Sequence, residues 1–322
     1  MSNIIGIIFG KKNTPWQRID ADGNGLTTDA SSFNDHPIYA GIADEVIDGQ
    51  HMVRIPAFYY RAGIVASGEH EGLKAIWISD QPAEGFSLHP AFKKDGEDLA
   101  QVWVGKYQGT PDGDKLGSQP GLKPLTRIDF PAMQQAAQRG DGFQLWSIYH
   151  LAAIQMLALV ELGTADAQSV LGSGHVNGGG VLPVDDATVA QATWRGIVGL
   201  WGNVWQMVDG LQTDENLRYR IWDAEGRGEY VSTGAKAPDG WIHRRHNRSG
   251  EGFDLGAVFL PKKTRDDRED SAYRCYAWSY SNAVAYHGGS WGSGSYAGLF
   301  RLGVGRSASD ASVDVGGRLA KV

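Results

Sequence analysis

The stretch SIYHLAAIQMLALVELG, from Ser147 to Gly163, constrains the fold more than any other segment. Ser147 is a good helix cap and Gly163 a good helix stop. Ile148, Leu151, Ala152, Gln155, Leu159 and Leu162 share one face at the helical period, with Met156 and Val160 beside it. Almost no polar face remains. A helix that is apolar nearly all round belongs in a core. A membrane span is not expected, because the segment is short of the roughly 20 residues a bilayer needs and His150 and Gln155 interrupt it.

The flanking segments supply strands. HMVRIPAFYYRAG, from His51, alternates apolar and polar residues and is rich in strand formers. LKAIWISD and AQVWVGKYQG repeat that signal, and EGFSLHPAF between them is expected as an ordered loop with Phe86, Leu88 and Phe92 tucked in. DFPAMQQAAQRG predicts a second helix capped by Asp129 and stopped at Gly140. Beyond Val170 long periodic runs are scarce. GSGHVNGGG is a loop, GLWGNVWQMVDG a Trp-rich turn and strand, and YVSTG, GAVFLP and YRCYAWS are short strand candidates. The mixed-sign run Lys262–Asp270 is expected as a solvated loop. Strands, two helices, then long irregular loops with short antiparallel strands make the class α+β. No internal repeat is visible.

Residues 1–50 are polar and turn-rich and are expected to form a separate segment, with one domain over 51–322. DADGNGLTTD begins like a calcium loop, with Asp20, Asp22, Asn24 and Gly25, but Ser31 stands where that loop needs a bidentate Glu. A turn is expected there. In IIGIIFGKK the basic pair Lys11–Lys12 follows the apolar run, the wrong order for a signal peptide, so synthesis in a cytoplasm is expected.

Composition narrows the function. A net charge of −7 argues against a general nucleic-acid binder and against docking on an anionic membrane. Cys275 is the single cysteine, so an intrachain disulfide and a cysteine-cluster metal site are excluded, and a small buried apolar role is expected for it. The 44 glycines and 11 tryptophans point to loop-rich structure anchored by large rings. No cofactor and no metal are expected.

Motifs of catalysis fail on context. Gly288–Gly292 spells a nucleophile elbow, G-x-S-x-G, but no helix pattern follows and no histidine comes after His287. Gly303–Ala308 spells G-x-G-x-x-A without the helix or the acid a dinucleotide site needs. His243 and His246 in WIHRRHNR lack a third ligand, and the arginines beside them would repel a cation; a solvated basic loop is expected, or a surface for an acidic ligand. The acidic pairs Asp185–Asp186 and Asp266–Asp267 look solvated. Trp201, Trp205 and Trp291 are expected in the core, and Arg318 is expected to make a fixed hydrogen bond into it.

GNVWQMV (Gly202–Val208), GGSW (Gly288–Trp291) and GGR (Gly316–Arg318) occur in the order of the C-type-lectin fold of the formylglycine-generating-enzyme type, which they resemble. Gln206 and Met207 replace the Glu and second Trp of that superfamily's signature. MVRIPAFYYRAG, EGFSLHPAF, AGLF and GGRL resemble its phage tail-fibre and variable-protein branch, which includes the major tropism determinant and other retroelement-diversified products. The resemblance runs from about His51 onward. The enzyme branch uses two cysteines, so its oxidase activity is not expected; nor are the disulfides and the calcium-bound sugar site of eukaryotic lectins.

In that branch the segment between GGSW and GGR is the displayed binding face. The resemblance implies outward positions at Gly292, Ser293, Ser295, Tyr296, Arg301, Gly303, Arg306, Ser307, Ser309 and Asp310. Trp291, Leu299 and Phe300 would anchor the segment from beneath. Tyr supplies rigid contact area while Ser, Gly and Asp supply adaptable polar contacts. The implied function is a phage tail receptor-binding protein that works by reversible binding, not catalysis. Its implied partners are a bacterial surface receptor, protein or glycan, and other phage tail proteins. A homotrimer in the virion tail is implied, with residues 1–49 as its attachment or assembly region and no membrane insertion. The alternatives are a structural baseplate or fibre component, or a same-fold metal-dependent sulfoxide synthase.

Overall fold

In the computed structural model, residues 3–10, 15–27 and 30–322 are described. Lys11 and Lys12 lie outside the described residues, as do Thr28 and Asp29 of the turn-rich stretch.

The helix Ile148–Leu162 lies in the middle of the main core, and every residue from Ile148 to Val160 is buried. Ser147 accepts from the His150 amide, and the Ser147 amide donates to His150 Nδ1 at 3.0 Å. This is a capping box with His in the place of Glu or Gln. Gly163 ends the helix at φ 67°, its amide bonded to the Leu159 carbonyl. Gln155, polar inside this apolar helix, donates to the Leu299 carbonyl at 2.8 Å and so ties the helix to the segment that follows Trp291. The second expected helix runs Phe130–Ala137, with the Asp129 carboxylate accepting from the Ala132 amide at 2.9 Å. It stops short of Gly140, because Gln138 is already extended. Three further helices, Pro37–Ala40, Ala167–Leu171 and Ala187–Ala190, are a turn or so long.

Among the described residues three larger sheets surround the helices, with three two-stranded ones besides. The first orders Gln17–Ile19, Ile5–Ile8, Lys74–Ser79, Tyr59–Ile64 and Ser87–Leu88, all antiparallel. The second orders Phe143–Leu145, Leu319–Lys321, Gln101–Gly105, Gln50–Pro56 and Ala43–Ile47. The largest runs from Tyr230–Lys236 through Arg218–Trp222, Trp205–Thr213, Val284–His287, Leu302–Arg306, Tyr276–Ser279 and Gly240–Arg245 to Pro261–Arg265. Tyr276–Ser279 is parallel to Leu302–Arg306, and Val315–Gly316 is parallel to Trp205–Gln206. The α+β class holds, with strands in the majority.

The boundary expected at residue 50 is not a break. Ala43–Ile47 and Gln50–Pro56 form one hairpin, and Asp48 and Gly49 are its two-residue turn, at φ 49° and 74°. Asp-Gly is the favoured chemistry for such a turn. Ile5–Ile8 pairs with Lys74–Ser79, and Ile7, Phe33, Ile38 and Tyr39 enter the main core. Asp20 binds the amides of Asp22 and Asn24, each at 2.9 Å, so its carboxylate closes a turn.

Three loop and strand expectations change. Residues 257–260 of GAVFLP are a buried loop, not a strand. The charged run opens as the strand Pro261–Arg265. WIHRRHNR is not a solvated loop, because Gly240–Arg245 is an inner strand of the largest sheet. His243, Arg245 and His246 are buried while Arg244 faces out. Arg245 gives its charge to the carbonyls of Gly256 and Val258, each at 2.9 Å, and its guanidinium stacks near Phe9 and Phe259.

Candidate functional site

The segment between Trp291 and Asp310 lies along the face of the largest sheet. The three strands that carry its neighbours are Gly240–Arg245, Tyr276–Ser279 and Leu302–Arg306, which are hydrogen-bonded side by side. In YAWSY, from Tyr276 to Tyr280, period-2 alternation buries Ala277 and Ser279 and turns Tyr276, Trp278 and Tyr280 to the other face. Trp278 and Tyr280 are 47% and 55% exposed, unusually wet for such large rings.

Tyr276 and Trp278 help to line an open groove of about 740 Å³. One wall is aromatic. Tyr296 stacks on Trp241 with centroids 4.8 Å apart and meets the edge of Tyr276 at 5.1 Å. Trp205 and Arg301 also line the groove, the guanidinium carbon 4.4 Å from the Trp205 ring centroid. The opposite rim is charged: Arg306 pairs with Asp310 at 3.2 Å and with Asp314 at 3.3 Å.

The ten positions expected to face outward divide. Gly292, Ser295, Tyr296, Ser307 and Ser309 are exposed, and Ser293, Arg306 and Asp310 are half-buried. Arg301 and Gly303 are buried, contrary to expectation. Arg301 immediately precedes the central strand Leu302–Arg306, where its side chain turns under Tyr296 and over Trp205. Gly303 is covered by the Trp205 ring. Of the expected anchors, Leu299 and Phe300 are fully buried, while Trp291 is half-buried and lines the groove. Trp241, Tyr276, Trp278, Tyr280, Asp239 and Asp314 were not singled out from the sequence. The alternation in YAWSY was the available signal for three of them.

Beneath the groove the signature residues form a polar knot. Asn203, at φ 61° and fully buried, holds Gln108 and both backbone groups of Leu182. Gln206 donates to the carbonyls of Gly199 and Leu200, and its own oxygen accepts from Arg318 at 2.8 Å. Arg318 is fully buried and also donates to the carbonyls of Gly105, Val198 and Gly199. The expected fixed hydrogen bond is therefore a set of them.

The groups that spelled catalytic motifs are placed for other work. Ser290 reaches Asp314 at 3.5 Å, and His287 is buried with Nδ1 on the Arg301 carbonyl at 3.1 Å. Burial pushes the His287 imidazole down to about 3. The G-x-G-x-x-A letters fall on the strand Leu302–Arg306. Cys275 is buried, and desolvation pushes its thiol up to about 12, the opposite of a reactive thiolate. Among the described residues no cluster of three His, Cys, Asp or Glu side chains is gathered as for a metal ion. Among them, no helix is long and apolar enough to cross a membrane.

No protein-family model and no curated protein matches the chain. Solved structures do. Variable protein 1 of Treponema denticola matches at 12% identity and a TM-score of 0.37, over 87% of this chain and 98% of that one. The major tropism determinant I1 variant matches at 12% identity and 0.36, over 98% of this chain and 71% of that one. PvdO from Pseudomonas aeruginosa matches at 11% identity and 0.33, over 87% and 97%. The chain is similar to variable proteins and tropism determinants, the group its sequence motifs resemble.

Proposed function

We propose that this protein is a receptor-binding protein of the phage-tail type, acting on a bacterial surface ligand by reversible binding and not by catalysis. Its scaffold is read as C-type-lectin-like, of the formylglycine-generating-enzyme type. The observation that carries the proposal is the groove between Tyr296 and Trp278. Tyr276 and Trp278 are displayed there on a strand, beside the turn and short 3-10 helix that carry Gly292, Ser293 and Tyr296, with the Gln206–Arg318 knot below. A rigid strand that carries a wet aromatic ring, beside a turn of adaptable Ser and Gly, suits recognition. The buried Cys275 thiol and the Ser290 hydroxyl, which no imidazole touches, favour binding over covalent chemistry.

Single faces of this kind bind weakly, and several copies on one tail raise apparent affinity by roughly a hundredfold or more when they engage together. A homotrimer in the virion tail, joined to other tail proteins, would present identical faces to one cell. Binding of the purified protein to a panel of intact bacterial strains tests the proposal. Tyr296→Ala with Trp278→Ala should abolish capture of the strain that the parent binds, with little change in melting temperature. Parental binding by that double variant would move the site elsewhere.

A further inference from the structure

Three arginines are nine-tenths or more buried in the sheet region; Arg318 is satisfied, and Arg245 is anchored through Nη1 although its Nε meets no acceptor. Arg318 donates to Gln206 and to the carbonyls of Gly105, Val198 and Gly199, and Arg245 donates to those of Gly256 and Val258. Arg301 is different. It is 5% exposed, and its Nε and Nη1 meet no acceptor among the described residues. Its charge rests on two ring faces, Trp205 at 4.4 Å and Tyr296 at 5.7 Å. Burial draws its pKa down to about 10, so it stays charged at neutral pH. A buried guanidinium without acceptors is costly, and cation–π contacts offset only part of that cost. The backbone holds it in place: the Arg301 amide donates to the Gly298 carbonyl at 3.1 Å, and its carbonyl accepts from Gly288 at 3.2 Å and from His287.

Resting on the binding function above, we propose that Arg301 is the anchor for a single carboxylate carried on a sugar ring, so that the groove selects acidic glycans. One buried cation balances one negative charge, and guanidinium and carboxylate match as a bidentate pair. Asp239 and Asp314 on the groove wall would repel a dianionic phosphate ester. Trp278 and Tyr296 offer ring faces, whose negative quadrupole suits the C–H face of a pyranose. The groove volume of about 740 Å³ lies in the range of ordinary small-ligand sites.

The test is titration of the full chain with short oligogalacturonate, with its methyl ester and with a sulfated dextran oligosaccharide, read by tryptophan fluorescence and calorimetry. Oligogalacturonate should bind the parent, and the neutral ester should bind roughly tenfold or more weakly. Arg301→Met should abolish binding while its melting temperature holds or rises, because an apolar side chain of similar length removes an unpaired buried charge. No binding of oligogalacturonate, equal binding of the ester, preference for the sulfated sugar, or unchanged binding by Arg301→Met would each overturn the proposal. So would a melting temperature several degrees lower in that variant, which would make Arg301 structural. Cell capture separates the two proposals. If Arg301→Met still captures the parental strain while the Tyr296–Trp278 double variant does not, the acidic-sugar assignment fails and the receptor-binding function stands.

Discussion

Arg318 donates its Nε–H to Gln206 Oε1 at 2.8 Å, joining two signature elements that are 112 residues apart. The pair is fully buried, and carbonyls of Gly105, Val198 and Gly199 complete the shell of the guanidinium. Gln206 supplies no negative charge, so the cation is held by dipoles alone. Arg318→Met leaves the Gln206 oxygen and these carbonyls without donors, and should cost about 3–5 kcal/mol, the range for breaking a buried ionic network. Urea denaturation of the parent and variant measures it. A loss below 1 kcal/mol would show that the network is not a structural support.

Leu151, at 1% exposed, sits on the helix that the sheets surround. Leu151→Asp buries a carboxylate with no partner, which costs several kcal/mol. The variant should fail to fold, with near-UV circular dichroism and cooperative melting both lost. A soluble, cooperatively melting Leu151→Asp protein would refute the central position of the helix.

Gly298 sits at φ 144°, and a Cβ built there would stand 2.6 Å from Cys275 Sγ. Gly298→Ala should destabilise by roughly 1–3 kcal/mol, through both the clash and the backbone conformation. Cys275→Ala alone should cost about 1 kcal/mol and leave binding unchanged, since the buried thiol does not line the groove. In the double variant the clash is relieved and the backbone strain stays. The double-mutant cycle should therefore return a coupling of about 0.5 kcal/mol or more. Simple additivity would mean that Gly298 is required for its φ alone.

Stability should fall on mild acidification. His89 and His287 are buried and neutral, their pKa values drawn down to about 3, and His150 to about 4, in each case chiefly by desolvation. Below about pH 6.5 the unfolded chain binds protons at these rings and the folded chain does not. Their contribution to stability is therefore complete above pH 6.5 and is lost progressively as pH falls toward their folded values. Each contributes about 1.4 kcal/mol per pH unit in that window. Urea midpoints at pH 7, 6 and 5 should show the slope, and His287→Gln should make it shallower. A flat profile between pH 6.5 and 5 would contradict the buried neutral state.

Local chemistry made some features legible in the sequence. Ser147, Gly163 and Asp129 mark helix ends because a cap acts within one turn of its own residue. The apolar run between Ser147 and Gly163 announces a buried helix for the same reason, since its pattern is complete in one segment. The outward Ser and Gly positions near Ser295 and Ser307 were implied by the resemblance of GGSW and GGR to the variable-protein branch. Arg318, after paired glycines, was expected to make a fixed hydrogen bond into the core.

Tertiary structure alone decided the rest. Asp48–Gly49 is the same turn signal whether it ends a segment or joins two strands, and only the partner strands distinguish the two. Arg301 stands between Phe300 and Leu302, and a charged side chain is ordinarily expected in water. Its burial depends on Trp205, Tyr296 and Tyr276, which come from other strands and loops. Trp278 is aromatic and yet wet, because the strand that carries it turns that face toward the groove. Helix ends are set by hydrogen bonds between near neighbours in the chain, whereas a groove is set by which distant strands pair and which faces they leave uncovered.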